Sequence, residues 1–260
     1  MLNLVGLDMT SGTSCYQICG FCKFSSFAST IPKLRNDINP LLPNSLSVSV
    51  LKNLDEQTVI ALYCAKKATS GIKLLNKWGA IVAPKHPGRK RISHAFEKFW
   101  EESAWVISPH LVPYDSLHSP SGIISIAYQL KEINLGVGGQ ATMEGHCFLS
   151  ALTILENNDI DGLVLIWTGY KEEFPLDHLQ SGDKEIIEGY ALAITKQKEN
   201  FLEDPSLNMF WHKEIKKGTF ITPVRLDTLM KIPDNFKTDF TFQVTANVFA
   251  TFSPAKNKGL

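Results

Sequence analysis

The stretch "GLVLIWT", Gly162 to Thr168, narrows the fold most, because its apolar residues run on without a break for the length of a strand. A strand with one wet face alternates apolar and polar residues, so an unbroken run of this length belongs to a strand covered on both faces. "GAIVA" (Gly79 to Ala83) and "GYALAIT" (Gly189 to Thr195) have the same character. Segments of helical spacing lie between them. After Asn53 or Asp55 as N-cap, Val59, Ile60, Leu62, Tyr63 and Ala65 recur on a helical face. Phe96, Phe99, Trp100 and Ala104 stand at i, i+3, i+4 and i+8 among Glu97, Lys98, Glu101 and Glu102, which predicts an amphipathic helix ending near Trp105. Ser119 can cap and Pro120 can open a helix over "IISIAYQLKEI". The glycine turn "NLGVGGQAT" leads into a helix from about Thr142 to Asn157, with Phe148, Ala151, Leu152 and Leu155 on one face.

Buried strands alternating with helices make the fold class α/β. With 260 residues, 44% of them apolar, the chain can bury a sizeable core. "LNLVGL" before Asp8 reads as a first strand, and the cysteine-, serine- and proline-containing stretch from there to about Ser49 as loop with short pieces, since it keeps no steady period. Near the end, Phe240, Phe242, Val244, Ala246, Val248, Ala250 and Phe252 give the clearest two-residue period in the chain.

Charge and cysteine count exclude several roles. The 26 basic residues balance 26 acidic ones, so no global field draws the chain to nucleic acid or an anionic membrane. No stretch approaches the roughly 18 to 20 apolar residues of a membrane span, and the N-terminus lacks the basic and apolar regions of a secretion signal. Five cysteines, an odd number, argue for reduced thiols rather than a disulfide framework. The expected location is the cytoplasm.

Three of those cysteines, Cys15, Cys19 and Cys22 in "CYQICGFC", stand at the spacing of a radical S-adenosylmethionine enzyme, whose [4Fe–4S] cluster takes three thiolates from one loop. The glycine- and glutamate-containing stretch that would hold the cofactor is missing downstream. This enzyme class is therefore an alternative reading, beside a plain α/β binding module. His146 and Cys147 are adjacent but cannot form a thiol–base pair, because neighbours on a helix point about 100° apart. Lys85, Arg89, Lys90 and Arg91 form a basic loop that reads either as a solvated cluster or as an anion-binding patch.

Read together, "IVAPKHPGRKRI", "ISPHLVPYDSLHSPSGIISIAYQL", "GQATMEGHCFLSALTILENNDIDGLVLIWTGYKEEFP" and "GYALAIT" resemble the N-terminal half of the β-ketoacyl synthases, which have the thiolase fold. They are most similar to short chain length factors of type II polyketide and aryl polyene clusters, which make antibiotics or pigments. The resemblance implies one truncated ketosynthase-like domain over residues 1–260, with 200–260 a looser C-terminal extension. In active synthases the turn before the second helix carries a nucleophilic cysteine at a helix N-terminus. Here Gln140 or Ala141 falls near that position and Cys147 lies more than a turn inside the helix. The two histidine motifs of active synthases are absent before the chain ends at Leu260, so no catalytic residue is expected.

What the resemblance implies is thus a silent subunit of an acyltransferase complex. It would pair as a heterodimer with a full-length ketosynthase and limit chain length, with no cofactor and no metal. Phe96, Phe99, Trp100, Trp105 and His118 are the candidates for the tunnel and the subunit interface. The basic loop is the candidate docking surface for an acidic acyl carrier protein.

Overall fold

The stretch from Thr13 to Phe27 is a strand of 15 residues, β1, and here the structure departs furthest from the reading of a cysteine-rich loop. Its register shifts by one residue between Ile18 and Gly20. Tyr16 and Ile18 face one side of the sheet, Cys22 faces the other, and Phe21 packs with the first pair. A bulge of this kind reverses the phase of alternation midway, so no two-residue period survives in the sequence. The structure, a computed structural model, describes residues 13–73, 75–102, 109–139, 142–171, 185–196, 205–211, 222–234 and 237–254. The strand expected at "LNLVGL" lies outside them.

Four helices and a strand follow β1: α1 (Ile31–Ile38), α2 (Val48–Asn53), α3 (Glu56–Ala68), β2 (Trp78–Pro84) and α4 (Arg89–Glu102). Asp55 caps α3, accepting the Thr58 N–H at 2.8 Å. Next come α5 (Leu111–Asp115), α6 (Ser119–Tyr128), β3 (Asn134–Gly136), α7 (Met143–Asn157), β4 (Gly162–Tyr170) and β5 (Ile186–Lys196). The chain continues through β6 (Ser206–Trp211), β7 (Thr222–Pro223), α8 (Leu226–Leu229), β8 (Phe240–Thr245) and β9 (Val248–Ser253). The two-residue period near the end is therefore a hairpin, with Thr245 opposite Val248 across a tight turn.

Among the described residues the strands form one sheet in the order β3-β2-β4-β5-β1-β6-β9-β8-β7. β2 runs parallel to both β3 and β4, whereas β5, β1 and β6 join antiparallel. Every residue of β2 and β4 is buried, as the unbroken apolar runs predict. Along β4, Leu163, Leu165 and Trp167 enter a core beneath α7, where Phe148 meets Trp167 at 4.8 Å between ring centroids. Val164 and Ile166 enter a second core with Val59, Ile60 and Leu62 of α3 and Ile124 of α6. The sheet is thus the middle of three layers. Among the described residues no helix is long and apolar enough to cross a membrane.

Candidate functional site

Because β2 and β3 are parallel, the chain leaves both at the same end of the sheet. Side chains carried there converge from separate parts of the sequence, as in other open α/β sheets. The two exits are the two segments that the sequence singles out: the basic loop after Pro84 and the nucleophile-like turn after Gly136. Val137 donates its N–H to the Val82 carbonyl at 2.8 Å and holds the exits side by side.

His118 is brought to this turn. A Cβ on Gly136 would collide with the Leu117 carbonyl and crowd the His118 Cα, so only glycine lets the segment before α6 lie against the turn. His118 is itself exposed, serves as the N-cap residue of α6, and places Nδ1 3.2 Å from the Ser121 hydroxyl. Gln140 and Ala141 lie outside the described residues.

Immediately after them, Met143, Glu144 and Gly145 of α7 are buried. The Glu144 carboxylate accepts the Leu226 N–H at 3.4 Å, and its backbone carbonyl accepts the Trp167 indole N–H at 3.3 Å. An acidic side chain therefore stands in the first turn of α7, at the positive end of its dipole. Cys147 is fully buried, and burial together with the Glu144 charge pushes its thiol well above the ordinary range. It is a neutral core thiol. His146, its neighbour, points to solvent.

The basic loop is not a loop beyond Gly88. Arg89, Lys90 and Arg91 form the first turn of α4, and their cations turn inward. Arg89 donates to Glu185 at 2.7 Å and lies 3.7 Å above the Tyr170 ring, while Lys90 is 2.5 Å from the other Glu185 oxygen and 3.6 Å from Glu56. Arg91 pairs with Asp115 at 3.3 Å and donates to the Asn53 carbonyl. Lys85 sits half-buried just before them, where its backbone carbonyl accepts from Gln57 at 2.7 Å. Arg89 and Lys90 are compensated by Glu185, and Arg91 by Asp115 where that carboxyl is ionised, which weakens any field they could offer an acidic partner. Burial raises the carboxyls of Asp55 and Asp115, the latter to about 7 although Arg91 pulls it down. The Tyr170 hydroxyl, raised by burial, donates to Glu56 at 3.1 Å.

These pairs fix the base of α4, and the rest of the helix lies open. None of its residues is buried; Phe96 is 68% exposed, Phe99 44% and Trp100 89%, and Val112 of the adjoining α5 is exposed as well. The apolar stripe that the spacing predicts is present, but it faces solvent. Trp105 lies outside the described residues.

The sheet, with β2 parallel to β3 and β4, lies between two helical layers, and solved ketosynthase structures match this architecture. The chain has the ketosynthase-like thiolase fold. It is similar to the ishigamide ketosynthase/chain length factor, with a TM-score of 0.52 and 14% identity over 76% of this chain and 65% of that one. It spans just under two thirds of that protein. A chain of the complex between the ketosynthase ApeO and its chain length factor ApeC from Xenorhabdus doucetiae aligns with a TM-score of 0.54 and 12% identity, over 92% of this chain and 98% of that one. A chain of AntDE:AntF, a type II polyketide synthase carrier protein in complex with its ketosynthase, aligns with a TM-score of 0.55 and 10% identity over 76% and 69%. No protein-family model and no curated protein matches the sequence.

The radical-enzyme alternative does not survive the geometry. Cys15, Cys19 and Cys22 lie along one strand, hydrogen-bonded to β5 and β6 on its two sides. At about 3.3 Å per residue, Cys15 and Cys22 are on the order of 20 Å apart, whereas a cluster needs thiolates that converge on a few ångströms.

Of the charged residues here, sequence reading marks Asp55 as a helix cap and does not mark Glu144, Glu185 or Asp115. A glutamate in the first turn of a predicted helix was a visible signal for Glu144. Nothing local marked the others as partners.

Proposed function

We propose that this chain is a catalytically silent chain length factor, one ketosynthase-like domain that pairs with a full-length ketosynthase and limits the polyketide or polyene chain grown there. The exposed aromatic face of α4 carries this reading. Large contiguous apolar surface on an otherwise well-buried fold marks a place where another protein sits. Phe96, Phe99 and Trp100 are rigid and bulky, with few rotatable bonds. Set at a subunit interface, they would close the end of a tunnel, because a chain that meets such a wall cannot advance into attack geometry.

Two further features support the reading. The α7 turn, where an active synthase needs an activated thiol, is followed by a buried carboxylate and a neutral, inaccessible Cys147. Among the described residues, the outer edge of β3 is unpaired and the side-chain oxygen of Asn134 is buried without a hydrogen-bond partner. An unpaired edge of this kind is a template for a second subunit. An acyl carrier protein would bring extender units to the ketosynthase of the pair.

Co-expression with a ketosynthase encoded beside it tests the proposal. The expected result is a one-to-one complex on size exclusion that makes product only when both chains are present. A chain that stays apart from the ketosynthase, or that condenses malonyl units alone, would overturn it.

A further inference from the structure

Where β1 meets α3, Phe21, Cys22, Lys23, Phe24, Tyr63, Lys67 and Asp234 line an open pocket of about 340 Å³, the size of a small-molecule site. The rings of Phe24 and Tyr63 stand 4.1 Å apart as one wall. Cys22 reaches this pocket with a small part of its surface, and directly behind it is Cys64 of α3, fully buried. Gly189 makes the arrangement possible: a Cβ there would press on the Cys64 sulfur and collide with Ile60, so its absence lets α3 settle close to the sheet. The Cys22 thiol donates to the Lys23 carbonyl at 3.7 Å, and its interaction with Cys64, together with the Lys67 charge, lowers it below the ordinary thiol range against the opposing effects of burial and Asp234. Burial raises Cys64. One thiol is thus reachable from the pocket, and the other lies beside it and is sealed.

The geometry points to Cys22 and Cys64 as a thiol–disulfide exchange site whose ligand is a small disulfide bearing carboxylates. The Cys22 thiolate attacks one sulfur of the disulfide R–S–S–R, forming Cys22–S–S–R and releasing R–S⁻, which takes up a proton. Cys64 then gives up its proton and attacks the Cys22 sulfur, forming the Cys22–Cys64 bond and releasing the second R–S⁻. One disulfide is reduced to two thiols as the protein dithiol is oxidised, and the new bond clips β1 to α3. Lys67 supplies the cation for the ligand's carboxylates, since Lys23 is engaged by Asp234 at 3.0 Å and by the Ile232 carbonyl at 2.7 Å.

Reduced, full-length protein mixed anaerobically with glutathione disulfide, quenched with an alkylating agent and digested with chymotrypsin provides the test. Cleavage after Tyr16 and Phe21 places Cys15, Cys19 and Cys22 on separate peptides. Cys22 should acquire a glutathionyl group about tenfold faster than Cys15 or Cys19. A Cys22–Cys64 linked peptide should then grow as the second glutathione appears. Cys64→Ser should stop at the mixed disulfide. Lys67→Gln removes a charge that also favours the Cys22 thiolate, so it should slow the reaction with both disulfides, and about threefold more with glutathione disulfide than with uncharged hydroxyethyl disulfide. Equal rates at the three cysteines of the wild-type chain, or linkage of Cys22 to any thiol but Cys64, would overturn the exchange site. Equal slowing with both disulfides would overturn the carboxylate-bearing ligand.

Discussion

Replacing Glu185 with glutamine should unfasten the base of α4. The carboxylate is 5% exposed and receives Arg89, 13% exposed, at 2.7 Å and Lys90 at 2.5 Å. The amide keeps the volume but removes the charge that compensates two cations. Removing one partner of a buried pair costs about 3–5 kcal/mol. Two features reduce that here. Lys90 is a quarter exposed and has Glu56 at 3.6 Å as a second partner, and Arg89 keeps the Tyr170 ring at 3.7 Å, worth about 0.5–2 kcal/mol. The expected loss is therefore about 2–3 kcal/mol. For a chain of this size each kcal/mol moves Tm by about 2–4 °C, so Glu185→Gln should melt roughly 5–10 °C lower by circular dichroism. Because the pair is shielded from water, the drop should persist at high salt. Replacing Arg89 and Glu185 together with methionine should restore most of the loss, since a buried pair exchanged for apolar side chains is near neutral. A shift below about 2 °C in the single variant, or a double variant as unstable as the sum of its singles, would refute the argument that Glu185 is the anchor of α4.

Alanine at Phe96, Phe99 or Trp100 should change stability by no more than about 0.5 kcal/mol, because none is packed; in complex with the ketosynthase the same variants should give longer products by mass spectrometry, and unchanged length in all three would place the tunnel wall elsewhere. Cys147 should carry no acyl group after incubation of the complex with loaded carrier protein, and a thioester found there by peptide mapping would overturn the silent-subunit reading. Asp115 holds a proton in the folded chain, at a carboxyl raised to about 7, that the unfolded chain loses at its ordinary value of 3.8. Its contribution to stability therefore falls as pH rises from about 4 to about 7, and Asp115→Asn should flatten that part of a Tm-versus-pH curve.

The α/β class, β2, β4 and β5, the cap of α3, the core faces of α3 and α7, and the resemblance to synthases were legible in the sequence, because each rests on neighbours within a few turns or a single strand. Leu163, Val164, Leu165 and Ile166 specify a strand buried on both faces wherever that strand lies. Tertiary structure decided what depends on residues far apart. The bulge at Cys19 is set by pairing with β5 and erased the alternation that would have announced β1. The stripe of α4 has the spacing of a core helix, yet none of its residues is buried, and among the described residues no layer covers it. Lys85, Arg89, Lys90 and Arg91 look alike in sequence, yet Arg89 meets its carboxylate 96 positions away and is neutralised there. Local period determines which face is apolar, but what that face meets is settled by long-range contacts that no local pattern encodes.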